Sequence, residues 1–496
     1  MTSFLSKVAH AITIITNEQF RDVTCFSITT DAWTDVCLRK YVAITYHAIH
    51  PVTMTFLSIT HDVLFLPTSH TWVAVTNRLR ESIQFHFPRD AIMATVTTDN
   101  GANFIKMSVA LLSTIGIDEI DELLLDSWDE QVTPPQDWED YGWRCVAHTM
   151  HLAIMDVIKE DGTADYEFRN LVKNVHQISS TIRKSSNLRN DLVAMQLVLN
   201  SKTLLSMIDE PTRWSTIYYM LGHYDEISQE VQLLAALGKF DEYDFNVPTP
   251  HAMMLLRSGV KILSPLEKFI RLLEGEKYVT ISLIPKLLFE ALQALELSFP
   301  HDLAKKLYVS ISNRMGWILS RPNFALGAAA LDPRIMLHTL VPANVNDDVW
   351  DALATWVFEY EECQQKPPTD PLTPTSFVVP NQDFVVALLK QYRQIFENPA
   401  NAPLLDNTDP LDYWKGQFAI SQNASVLRQI ILCLFSICAT SAPSERAFSV
   451  AGRVIQPIRS SLSPHLLEAY ITIKSFMIGG SLQHFDQLVA LLSDME

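Results

Sequence analysis

Nothing in this chain is long and apolar enough to lie across a bilayer: no hydrophobic run approaches the roughly 20 residues a spanning helix needs. Its opening, Met1-Thr-Ser-Phe-Leu-Ser-Lys-Val-Ala-His10, is too short and too polar for a secretory signal. No C-x-x-C pair faces a His-x-x-x-His, so a zinc finger of the usual spacing is excluded. Cysteine is sparse. Cys25, Cys37, Cys145, Cys363, Cys433 and Cys438 are widely scattered, and several sit in apolar segments. That reads as reduced core thiols of an intracellular protein rather than a disulfide framework. Basic charge is also short, with 38 Lys and Arg against 56 Asp and Glu, a net charge of −18 and a pI of about 5.3. Tight autonomous DNA binding needs clustered Lys and Arg to neutralise phosphates, so this balance weighs against it while leaving room for a local basic groove. There is no internal repeat.

What is present is the composition of a folded protein: 496 residues, 48% hydrophobic and 10% aromatic, enough for two or three domains with a sizeable core. Part of the acidity is concentrated in 118–130 and 137–140, and no Lys or Arg falls between Lys106 and Arg144. A solvated loop is the simplest reading of that stretch. Residues 23–100 read as β-rich. Strands are expected from Cys25, over Lys40–His50, and over Thr53–His61 after a turn at Pro51. A helix follows over 69–87, then a strand over 91–98, a helix over about 102–114, a short strand at 142–147 and a helix over 148–158. From Phe168 to about Val341 the periodicity is helical, broken by Pro211, Pro248, Pro265 and Pro300. Pro367 to Pro374 is a linker, and from Ala424 the chain is helical again.

Three short motifs stand out. Thr30-Asp31-Ala32-Trp33-Thr34-Asp35 and Thr98-Asp99-Asn100-Gly101-Ala102-Asn103 each follow a strand-like run. Ser441-Ala442-Pro443-Ser444-Glu445-Arg446-Ala447-Phe448-Ser449 opens a helical pattern. Taken singly, Asp31 and Asp99 are turn or capping residues, and Glu445 is a first-turn acid that suits the helix dipole. Taken together, they converge on one point if the strands are neighbours and the helix packs across them. Three convergent carboxylates can hold two hard divalent cations for attack on a phosphodiester. On that reading the carboxylates stand on the order of 4–8 Å apart.

With these motifs, the chain resembles the hAT superfamily of cut-and-paste DNA transposases. The resemblance runs from about Phe26 to Phe476. Beyond the three motifs it is carried by Arg144-Cys-Val-Ala-His148, Pro211-Thr-Arg-Trp214 and Leu331-Asp-Pro-Arg334. The block from Arg459 to Lys474 resembles the family's dimerisation region.

The resemblance implies an α/β fold: a ribonuclease H-like mixed sheet interrupted by a large all-helical insertion, with a helical C-terminus returning to the core. It makes Asp31, Asp99 and Glu445 both catalytic residues and ligands of Mg²⁺ or Mn²⁺ in a two-ion site. No zinc is expected, because Cys145 and His148 form only half a site. DNA is the expected partner, met by His148, which otherwise orients a ligand near the metals, by Trp214 stacking on an extruded base, and by Arg213, Arg183 and Lys184 on phosphates. For Trp214 a core position is the plain alternative, and for the basic stretch Arg169 to Arg189 a solvated helix face. The C-terminal helices, including Leu432, Leu434, Phe435, Ile437, Ile471, Ile473 and Phe476, carry more apolar surface than one amphipathic face needs, so self-association is expected there and no membrane partner. Nuclear location follows from the resemblance.

The expected divisions are an N-terminal lead (1–22), the first part of the core (23–160), a helical insertion with its linker near 366–376 (161–405), and the remainder of the core with the dimerisation region (406–496). Family members carry an N-terminal BED-type zinc finger. No metal-ligand spacing precedes Thr24 here, so sequence-specific end recognition is not expected of this sequence. Two functions fit: a catalytic transposase body, or a domesticated, non-catalytic derivative that acts through association and binding.

Overall fold

The computed structural model describes residues 2–35, 37–66, 72–99, 102–112, 142–159, 166–208, 214–299, 301–364, 382–405, 407–454, 463–479 and 482–494. The acidic stretch 118–140, the linker 366–376, Arg213 and Arg459 lie outside them. Among the described residues no helix is long and apolar enough to cross a membrane.

Five strands form one mixed sheet in the order β3-β2-β1-β4-β5. They are β1 (Cys25–Thr34), β2 (Lys40–Ile49), β3 (Phe56–Leu66), β4 (Ile92–Thr98) and β5 (Trp143–Arg144). β1, β2 and β3 are antiparallel neighbours, while β4 runs parallel to β1 and β5 parallel to β4. This is the expected ribonuclease H-like arrangement. The third strand begins later than its sequence pattern suggested, because Thr53 and Thr55 belong to the turn that Met54 closes at φ 56°.

The period-2 alternation of the strands sorts their side chains onto two faces. Phe26, Ile28, Val42, Ile44, Tyr46 and Ala48 share one face, where they pack with α1 (Thr2–Phe20), α2 (Trp72–His86) and α3 (Ala102–Leu112). The opposite face is largely polar: Ser27, Thr29, Asp31, Thr45, His47 and Thr97. It is covered by helices from the far end of the chain.

Between these ends come α4 (Val146–Lys159), α5 (Tyr166–Lys184), α6 (Ser186–Val198), α7 (Trp214–Ala236), α8 (Pro250–Leu273), α9 (Leu283–Glu296) and α10 (Asp302–Met315). Then follow α11 (Phe324–Ala330), α12 (Ala343–Gln364), α13 (Gln382–Phe396), α14 (Ala402–Leu405) and α15 (Pro410–Ile420). The chain ends with α16 (Arg428–Ser436), α17 (Ala442–Val454), α18 (Pro464–Gly479) and α19 (Leu482–Asp494).

The chain divides into two compact units. One comprises 149–272 and 287–317, and its described secondary structure is helical. Within it, α5 and α8 approach so closely that a Cβ on Gly259 would lie 2.2 Å from Phe168 Cε2. The other unit holds the sheet together with 273–286 and 318–496. Residues 318–405, set down from the sequence as part of the insertion, thus group with the sheet-bearing unit. The link is visible in Leu331-Asp332-Pro333-Arg334. Asp332 is fully buried and accepts from Ser282 Oγ (2.7 Å), Arg334 Nε (2.9 Å) and Arg334 Nη2 (2.6 Å), and Trp414 Nε1 donates to Leu331 O (2.8 Å). The motif is an ion pair between the buried Asp332 and the half-buried Arg334 that ties three segments together.

Three expectations need correction. The first 22 residues are not a bare lead, because α1 buries Val8, Ala11, Ile12 and Ile15 against Phe476, Phe485 and Leu488 of α18 and α19. The cysteines are not all reduced. Cys25 on β1 and Cys433 on α16, 408 residues apart, are joined as a disulfide with Cα atoms 5.3 Å apart, whereas Cys145 and Cys438 are buried thiols. Their sequence scatter hid a pairing that only the packing of α16 on the sheet creates. Finally, Leu432, Leu434, Phe435, Ile437 and Ile471 offer nothing to a partner. Each is at most 1% exposed and is consumed inside this one chain.

Candidate carboxylate site

Asp31 and Asp99 come together through strand register. β1 and β4 are parallel and pair Thr29 with Thr97. Two residues further on, Asp31 still lies in β1 while Asp99 is the first residue past the end of β4. β1 continues through Asp31 to Thr34, with Asp31 opposite Ala43 of β2, so the aspartate lies inside the strand rather than at its end. What stops there is the ladder to β4, which leaves the Asp31 side chain half-open.

Glu445 arrives from the polar covering of the sheet. α16 ends on the strands, and its last carbonyls need donors. Ser27 Oγ donates to Ser436 O (2.6 Å) and Thr97 Oγ1 to Cys438 O (2.9 Å). The chain then turns into α17, whose Ser444 is fully buried against Thr29 (Oγ to Oγ1 2.9 Å; Oγ to Thr29 O 2.9 Å). The next residue is Glu445, in the first turn of α17, where its charge suits the helix dipole. Its Oε1 accepts from Ser441 Oγ (3.2 Å).

Glu445 and Asp99 both act on Asp31. Burial pushes the Asp31 carboxyl up to about 7, with Glu445 and then Asp99 adding repulsion, against the lowering effect of the Ala32 N–H on Asp31 Oδ1 (2.8 Å). Glu445 also helps burial push the Cys145 thiol up to about 12. Cys145 is therefore a neutral acceptor at neutral pH, receiving N–H bonds from Ser441 (3.3 Å) and His148 (3.4 Å). Among the described residues, no three His, Cys, Asp or Glu side chains stand in a constellation that encloses one ion. Asp31 Oδ1 is engaged by Ala32 N and Glu445 Oε1 by Ser441 Oγ. The donor set is nonetheless three hard carboxylate groups, the chemistry that Mg²⁺ and Mn²⁺ select.

The aromatic residues of the motifs are structural. Trp33 stacks on Phe448 (centroids 5.7 Å) over Tyr41 and Leu467, which locks the first motif to the third. Asp35, also buried, closes the β1–β2 hairpin by accepting from Cys37 N, Arg39 N and Arg39 Nε. Arg446 is engaged by Glu276 and by Glu274 O (2.6 Å).

Among the expected DNA contacts, His148 lies in the first turn of α4, half-buried. Arg183 and Lys184 are exposed at the end of α5. Trp214 begins α7 in the helical unit and is 3% exposed, with its N–H on His151 Nδ1 (3.3 Å). Its indole is a core side chain in this state and shows no free face to a base. The sequence reading passed over His47 and Thr29, because single Thr and His residues inside strands carry no spacing signal.

Two family descriptions match the chain. The hAT family C-terminal dimerisation region matches 389–477, and the ZBED1 RNase-like helical domain matches 143–252. These two matches, with the likeness to the relatives below, support a hAT-family transposase-derived protein. The chain is 24% identical over 504 residues to a Zea mays protein named "Putative AC transposase", with 95% of this chain and 59% of that protein covered. It is likewise 24% identical over 506 residues to the Zea mays "Putative AC9 transposase", with 91% and 57% covered. The chain thus spans under three fifths of the length of these relatives. The dimerisation match includes α15 to α18, where Ile420 (80%) and Met477 (56%) are exposed apolar side chains.

Proposed function

We propose that this chain is the catalytic body of a hAT-type transposase, cleaving DNA and transferring its strands at Asp31, Asp99 and Glu445. The observation that carries this reading is that Glu445 of α17 and Asp99, just past β4, both act on the buried Asp31 of β1, although Glu445 lies over three hundred residues from either. Asp31, Asp99 and Glu445 would hold Mg²⁺ or Mn²⁺. Such ions, when bound, stabilise both the attacking and the leaving oxygen of a phosphodiester exchange. The residues themselves supply the charge that selects a cation and excludes a bare phosphate. Burial, with repulsion from Glu445 and Asp99, keeps Asp31 protonated up to about 7, and a cation held there would offset that repulsion. Arg183 and Lys184 present exposed charge to a DNA backbone, which positions a duplex without reading its sequence. Self-association runs through the C-terminal region, and the nucleus is the compartment in which this activity has its substrate.

A second reading, a domesticated protein that binds and associates without cleaving, is favoured by the buried indole of Trp214 and the net charge of −18. One assay separates the two: the purified chain is incubated with nicked, hairpin and intact duplex DNA in Mn²⁺, beside Asp99→Asn. Cleavage by the wild type that is lost in Asp99→Asn supports the catalytic reading. No cleavage of any DNA form favours the second reading, and cleavage that survives Asp99→Asn refutes the carboxylate trio.

A further inference from the structure

Behind the carboxylates lies a buried chain of polar side chains that none of the family motifs includes in full. His47, on the polar face of β2, is fully buried, with Nδ1 3.2 Å from Cys438 Sγ and Nε2 3.1 Å from Thr29 Oγ1. Thr29 Oγ1 is 2.9 Å from Ser444 Oγ, and Ser444 Oγ donates to Thr29 O at 2.9 Å. Thr45 Oγ1, 3.3 Å from Ser444 Oγ and 2.8 Å from Thr60 Oγ1, extends the set across the sheet.

Counting protons gives the chain a direction. We assign the single Ser444 hydroxyl proton to Thr29 O, which can only accept. The bond between the two hydroxyls is then donated by Thr29, which leaves Thr29 Oγ1 to accept from His47. That requires the proton of a neutral imidazole on Nε2 and a lone pair on Nδ1, which the Cys438 S–H meets. Burial, with Arg446 nearby, pushes His47 down to about 3 and raises the Cys438 thiol, so both stay in these neutral forms.

We propose that His47, held as its Nε2–H tautomer between Cys438 and Thr29, is a positioning residue that fixes the first turn of α17 and hence where Glu445 stands relative to Asp31. This rests on the carboxylate reading only for its consequence, metal binding. The fixing of α17 stands on the hydrogen bonds alone. Ser444 is adjacent to Glu445, and Thr29 is two residues from Asp31 on the same strand face. A single buried chain therefore spans both ligand-bearing elements, and it is made from the hydroxyls that satisfy a helix–sheet junction too polar to be packed with hydrocarbon.

Two substitutions separate this from bulk packing. In His47→Gln the amide nitrogen reaches the position of Nε2 and keeps the donation to Thr29; in His47→Asn the amide nitrogen stops near the position of Nδ1 and loses it. Backbone amide exchange is read at Ser444 and Glu445, whose N–H groups bond Ser441 O at 3.0 and 3.2 Å. Exchange there is expected to speed up about tenfold in His47→Asn, the equivalent of one buried hydrogen bond, and to stay near wild type in His47→Gln. In Ser444→Ala, Glu445 exchange rises similarly. Mn²⁺ affinity, measured on the same proteins by the spin-resonance signal of free Mn²⁺, follows the same order. Equal exchange in His47→Asn and His47→Gln overturns the proposal, as does exchange in Ser444→Ala that matches the wild type. If the wild type binds no Mn²⁺, the carboxylate reading falls while the exchange result still decides the positioning role.

Discussion

At the scale of single residues, the site's chemistry is dominated by one carboxyl held out of its usual range. Asp31 is raised from 3.8 to about 7, so the folded chain binds a proton that the unfolded chain releases. Its contribution to stability is complete below about pH 4 and is lost as pH rises through 7. Asp31→Asn should therefore melt at a higher temperature than wild type at pH 8 without divalent ions, and the difference should vanish at pH 4. A constant difference across that window would mean that the pKa is not displaced. The buried pair Asp332–Arg334 makes the opposite case. Removing Arg334 leaves a fully buried carboxylate without its partner, so Arg334→Ala should cost about 3–5 kcal/mol in chemical denaturation. Converting both residues to Ala should cost less than Arg334→Ala alone, which tests whether the cost is the uncompensated charge or the lost tether.

At the scale of elements, two contacts carry testable weight. Phe448 of α17 stacks on Trp33 of β1 within a buried cluster, so Phe448→Ala should destabilise by about 3–5 kcal/mol and loosen Glu445 with it. Gly259 lies in mid-helix, where Ala ordinarily stabilises by about 1 kcal/mol. Here the added methyl meets Phe168, so Gly259→Ala should instead lower stability by about 1–3 kcal/mol in a thermal or urea melt. The strands, the order of elements and the three acidic positions were legible in the sequence, since alternation in Lys40–Ile49 and the runs ending at Thr30 and Thr98 are local signals. α1 was not legible as packed structure, because its partners Phe476 and Leu488 lie over 450 residues away. Nor was the hydroxyl face. Ser27, Thr29, Thr45 and Thr97 fit β propensity as well as any residue, and only the arrival of α16 and α17 gives their hydroxyls partners. Cys25 and Cys433 were misread for the same reason.

At the scale of the whole molecule, the apolar C-terminal helices are mostly interior. Leu434→Asp should abolish folding rather than dissociate an assembly. Ile420→Asp and Met477→Glu, which alter exposed side chains in the matched dimerisation region, should leave the circular dichroism spectrum intact and reduce the mass seen by light scattering. Unchanged mass in both would place the association surface elsewhere. The unit divisions bear on function in the same way. Asp31, Asp99 and Glu445 all belong to the sheet-bearing unit, although residues of the helical unit separate Glu445 from the other two in sequence. The central claim is that these three carboxylates form one cation site. Titrating Mn²⁺ into the wild type and into Asp31→Asn, Asp99→Asn and Glu445→Gln, with free Mn²⁺ read by spin resonance, tests it most directly. The prediction is saturable binding by the wild type that each of the three substitutions abolishes; wild-type binding that persists unchanged in any of them would contradict it.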